Sequence, residues 1–116
     1  MGETYTEPYD KLSDKTIDIA QALQSLQEEL EAIDWYNQRI VTCGNADLKR
    51  ILGHNRDEEI SHACLLVGWL KLNMGGWDEQ LADYVTNGDI ATIGADKDAE
   101  GHYGAGYNED LNIGKL

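Results

Sequence analysis

Glu59 and His62 stand three residues apart in the run Glu59-Ile60-Ser61-His62. On a helix that spacing puts a carboxylate and an imidazole on one face, one turn apart. A hard oxygen donor beside an imidazole nitrogen suits a first-row metal such as iron. In carboxylate-bridged di-iron bundles two helices each bring such an E-x-x-H motif, and two more each bring a Glu. This chain has one E-x-x-H and one candidate lone carboxylate, Glu29. It therefore holds half a set. Two copies about a two-fold axis would supply two Glu29, two Glu59 and two His62. Glu and His also fall three apart by chance on solvated helix faces, so the motif's position must be weighed.

The elements that would carry these residues are marked by Gly and Pro. Between Ser13 and Cys43 there is neither, and the residues are mostly helix formers. A helix is predicted there, capped by Ser13 or Asp14 and stopped by Gly44. Asn45 caps a second helix, from Ala46 to about Asn73, closed by Gly75 and Gly76. So short a link forces the two helices back on each other as an antiparallel hairpin. Trp77 to Val85 reads as a short third helix. The first helix carries Leu23, Leu26, Leu30, Ile33, Asn37 and Ile40 at heptad spacing, with Ala22, Glu29 and Tyr36 along one flank. That places Glu29 at the margin of the buried face. The second helix repeats the pattern with Leu48, Leu52, Asn55, Glu59, His62, Leu66 and Trp69, apolar at its ends and polar in its middle. A buried carboxylate without a partner is costly, or is neutralised. Counted from the turn, Glu29 and Glu59 lie at matching heights, so a shared cation offers the missing compensation.

The chain of 116 residues has room for one small domain. Its 9 basic against 22 acidic residues give a net charge of −13, which argues against nucleic acid and against an anionic membrane surface. Hydrophobic residues make up 41% and Phe is absent, so the core of a monomer is lean and an oligomer is expected. The acidic opening MGETYTEPYD has no signal-peptide pattern, and the longest apolar run, Ala63 to Val67, is far too short to span a bilayer. Two cysteines are too few for a disulfide framework, so the chain reads as cytosolic and soluble.

Other residues have ordinary explanations beside the chemical ones. Glu28, Glu31 and Asp34 make an acidic patch that is either a solvated face or a guide for cations. His54 and Glu58 are an i,i+4 pair, read first as a surface hydrogen bond. Trp35, Tyr36, Trp69 and Trp77 are read as packing. Cys64 turns away from His62 and is expected to be a packed thiol, and no chemistry is assigned to Cys43.

The segments EELEAIDWYNQR (Glu28 to Arg39) and HNRDEEISHA (His54 to Ala63) resemble the two signature helices of the encapsulated ferritins, over roughly residues 15 to 85. The resemblance implies a two-helix protomer whose ferroxidase centre forms where two protomers meet, in rings built as pentamers of dimers. It implies Glu29, Glu59 and His62 as iron ligands, with Tyr36 as a catalytic neighbour. Glu28, Glu31 and Trp35 would form an entrance for iron, and His54 and Glu58 an outer site. Ser61 stands where that outer site has an acidic residue. The ending Leu111-Asn112-Ile113-Gly114-Lys115-Leu116 is similar to the family's peptide for docking inside an encapsulin shell. Leu111, Ile113 and Leu116 could fill small apolar pockets from an extended strand.

The expected fold is all-α: an antiparallel two-helix hairpin plus a short C-terminal helix, dimerising into a ferritin-like four-helix bundle. A leader (1–12), the hairpin domain (13–87), a flexible linker (88–110) and the targeting peptide (111–116) make up the chain. The expected function is a ferroxidase inside an encapsulin nanocompartment, oxidising Fe(II) to Fe(III) at a di-iron centre shared by two subunits. The alternative is a non-enzymatic acidic cargo or scaffold that binds metal for structure. A rubrerythrin-like peroxidase would need a four-cysteine rubredoxin module that the sequence lacks.

Overall fold

A computed structural model of the chain describes residues 5–88. The expectations for the linker and for Leu111 to Leu116 lie outside them. A 3-10 turn, Tyr9–Lys11, follows Pro8, whose carbonyl accepts from the Lys11 amide at 3.0 Å. Helix α1 spans Asp14–Thr42 and helix α2 spans Ala46–Asn73. No strand occurs among the described residues.

Capping explains both starts. The Ser13 hydroxyl accepts from the Thr16 amide at 3.1 Å, and Asn45 Oδ1 accepts from the Leu48 amide at 2.9 Å. Between the helices Cys43 and Asn45 are extended, which breaks the i→i−4 ladder and turns the chain back. Gly44 is not needed in a left-handed conformation. The one described glycine with positive φ is Gly76, at +104°, where the chain leaves α2 for helix α3, Trp77–Leu81. A π-helical turn, Ala82–Thr86, continues it, closed by the Asn87 amide on the Ala82 carbonyl at 3.0 Å. The predicted third helix is thus an α-turn followed by a wider one. The chain divides into two compact units, one ending at Gly75 and the other beginning at Gly76.

Within the hairpin the shielded stripe of α1 runs through Ala22, Leu26, Glu29, Ile33, Tyr36 and Ile40, all half-buried. Leu30, placed on the seam from the sequence, is 54% exposed. Glu29 therefore sits on the covered stripe, not at its margin. The apolar face of α1 is wider than one partner helix can cover, so two neighbouring heptad phases share Leu26, Ile33 and Ile40. The hairpin takes the phase that includes Glu29. On α2 the stripe is Leu52, Asn55, Glu59, Ala63, Leu66 and Leu70, with Ala63 and Leu70 buried. Across the hairpin Arg56 Nη1 donates to Asn37 Oδ1 at 3.1 Å.

Candidate metal centre

Glu29 lies in the middle of α1, and Glu59 and His62 lie one turn apart in the middle of α2. The hairpin brings one ligand atom from each residue to within 4.8 Å of the others. His62 Nδ1 is 3.5 Å from Glu59 Oε2 and 3.7 Å from Glu29 Oε2. Both separations exceed an N–H···O bond. Glu29 Oε2 is shut off from solvent and accepts no hydrogen bond.

Leaving a buried acceptor unpaired costs about 1–3 kcal/mol, and such groups are rare. A small cation supplies the partner. Two carboxylates and an imidazole make a mixed oxygen and nitrogen donor set of the kind that holds first-row metal ions. The residues present therefore fit a metal ion. The two carboxylate side chains are 24% exposed and His62 is 48% exposed, so the cluster is open on the His62 side.

Among the other sequence candidates, Glu28, Glu31, His54 and Glu58 do not belong to this cluster. Glu28 and Glu31 are exposed on α1. Trp35 is half exposed, not packed, and with Gln38 and Arg39 lines a shallow groove of about 270 Å³. Tyr36 is half-buried beneath the Arg39 guanidinium, which stands 5.5 Å from its ring centre. His54 Nε2 is 2.7 Å from Glu58 Oε1 in an exposed pair, as an i,i+4 contact predicts. Cys64 is exposed, which corrects the expectation of a packed thiol. Gly68, one turn on from it, adds no side chain to cover that face. Cys43 Sγ donates to the Asn45 carbonyl at 3.5 Å, a local contact of the turn.

Sequence reasoning missed a second groove, of about 380 Å³, lined by Asp18, Gln21, Ala22, Ser25, Leu66 and Trp69. Its signal was available in the 3,4,4 spacing of Asp18, Gln21, Ser25 and Glu29. No helix among the described residues is long and apolar enough to cross a membrane.

Known proteins of similar sequence and shape place this arrangement. A relative from Thermotoga maritima, a ferritin-like protein, is 43% identical over 116 residues, the full length of both chains. An encapsulated ferritin-like protein from Rhodospirillum rubrum is 43% identical over 100 residues, covering 84% of this chain and 71% of its own. The crystal structure of protein ne0167 from Nitrosomonas europaea superposes with a TM-score of 0.70 at 46% identity, covering 75% of this chain and 97% of that one. The EncFtn-like family model matches residues 4–88, which include both long helices and all three clustered side chains. With that match and those identities, this chain belongs to the EncFtn-like family of encapsulated ferritin-like proteins.

Proposed function

We propose that the protein is a ferroxidase that takes Fe(II) as substrate at a centre completed by two copies of the chain. The observation that carries this reading is the shielded, unpaired Glu29 Oε2 facing Glu59 and His62. One copy offers two carboxylates and one imidazole. Two copies offer six groups, the set that a carboxylate-bridged pair of irons uses. Iron bound there loses one electron per ion to dioxygen. Glu29 and Glu59 would stabilise the Fe(III) product through their charge, and His62 Nδ1 would add a nitrogen donor. The openness of the cluster beside His62 supports a second copy as its cover. Assembly of such dimers into a ring, with Glu28, Glu31 and Trp35 at an iron entrance, follows the same reading.

A hairpin has no lumen for a mineral, so the oxidised iron must be stored elsewhere. The relative named as an encapsulated ferritin-like protein supports an encapsulin shell as that compartment, reached through Leu111 to Leu116.

Aerobic addition of Fe(II), followed by dioxygen consumption and ferric absorbance, tests the activity. Glu29→Ala, Glu59→Ala and His62→Ala should each lose most of it, since each removes two ligands from a two-fold centre, while His54→Ala should lose little. Metal binding without dioxygen consumption would leave the scaffold reading in place of the enzyme. Full activity from a clean monomer would remove the shared centre.

A further inference from the structure

The groove of about 380 Å³ lies one helical turn along the hairpin from the cluster and shares no lining residue with it. Ser25 precedes Glu29 by one turn and Leu66 follows His62 by one turn, so the groove continues from the cluster toward the start of α1. Its α1 wall presents a carboxylate at Asp18, an amide at Gln21 and a hydroxyl at Ser25 before the carboxylate of Glu29. Spacings of 3, 4 and 4 keep all four on one helix face. Its α2 wall is apolar, made by Leu66 and Trp69. Exposure falls along the series: Asp18 and Gln21 are exposed, Ser25 is half-buried, and Glu29 ends in a shielded oxygen. The groove is open to solvent and wider than a single water, so a cation can enter it with water ligands still attached.

We propose that this groove is a transit site, where a hydrated divalent cation rests between solvent and the Glu29–Glu59–His62 cluster. The inference rests on the metal-binding reading of that cluster and adds a route to it. Asp18 is the one charged group on the lining, enough to attract a cation at the exposed end. Gln21 and Ser25 offer neutral oxygens that exchange with water ligands without trapping the ion. Ahead lie two carboxylates in a drier setting, where attraction is stronger, so the ion moves inward. Leu66 and Trp69 offer no oxygen ligands on the other side, which confines the path to α1.

Two probes on the full chain test this, and the loss of emission on Trp69→Phe separates Trp69 from the other two indoles, Trp35 and Trp77. Tb(III), excited through tryptophan, reports an ion beside Trp69. Co(II) absorbance in stopped flow reports filling of the cluster. The parent protein should show sensitised emission, and Trp69→Phe should abolish most of it. Asp18→Asn should lower emission several-fold and slow Co(II) filling several-fold, while reaching the same final absorbance. Emission that survives both substitutions overturns the site. Lost emission with an unchanged filling rate overturns its role in transit. A protein that takes up no Co(II) at all overturns the metal reading itself, whereas normal uptake indifferent to Asp18→Asn overturns the transit site alone.

Discussion

Glu29 Oε2 is held away from water with nothing to accept from, while the other members of its cluster keep partial contact with solvent. In the metal-free protein that oxygen is a liability, because its hydration is lost and no hydrogen bond replaces it. A leucine of similar reach would remove the liability and the ligand together. Glu29→Leu should therefore raise the unfolding free energy of the chelated protein by about 1–3 kcal/mol, at fixed protomer concentration, and abolish the added stability that Mn(II) gives the parent. Urea unfolding in chelator and in Mn(II) measures both. A chelated variant less stable than the parent would show that the shielded oxygen is no cost. The E-x-x-H spacing and the matching heights made the gathering of Glu59, His62 and Glu29 legible. What could not be read was which oxygen goes dry, since that depends on the phase in which two apolar stripes meet. Arg39 over Tyr36 and the Asp18 groove were missed for a related reason: each is a relation between side chains, not a motif.

The elements themselves were written plainly in the chain. Ser13 and Asn45 were recognisable as caps, and the helices begin directly after them. The fold-back followed from the short link alone. Less legible was the covered stripe, because Leu30 mimics a seam one phase away from the real one and ends 54% exposed, whereas Leu23 is half-buried. The π-helical turn at Ala82–Thr86 had no sequence signal either, although its end did need a glycine: a Cβ on Gly88 would overlap the Asp83 carbonyl. Caps also make a measurable contribution. Asn45→Ala leaves the Leu48 amide unpaired at the start of α2 and should cost about 0.5–2 kcal/mol, read as a lower thermal midpoint. The cap lies beside the turn, far from the cluster, so the cation-dependent part of the stability should be unchanged. A loss of metal affinity in this variant would mean that the turn, not the stripe, aligns Glu29 with Glu59.

On the scale of the molecule, the described hairpin buries only Ala63 and Leu70, while Leu72, Val41 and Leu65 are 83%, 76% and 70% exposed. Two helices can hide only one stripe each, so the remaining apolar area waits for other surfaces. A second copy would be a cover that also completes the proposed centre. Chemistry and address are separable in the proposed plan, because the clustered side chains sit in the hairpin and the proposed targeting segment is the last six residues of the sequence. Deleting Leu111 to Leu116 should leave aerobic Fe(II) oxidation within about twofold of the parent and abolish co-purification with an encapsulin shell. Replacing Leu111, Ile113 and Leu116 with Ser should do the same, since they carry most of the apolar area of the segment. Normal loading of the truncated chain would leave a free ferritin-like oxidase with no compartment.

The ligands also occupy a particular place along their helices. Glu29 is the sixteenth of the 29 residues of α1, and Glu59 the fourteenth of the 28 in α2. At about 1.5 Å per residue, each is about 20 Å from either end of its helix. The partial charges of a helix macrodipole act within its first and last turns, and two antiparallel helices set those charges in opposition. The field felt by a bound ion therefore comes from the side chains around it, and its affinity can be retuned by changing them without redesigning the ends. Fraying starts at termini and works inward. Because the middle of both helices opens last, the ion would be held by the part of the hairpin that stays together longest.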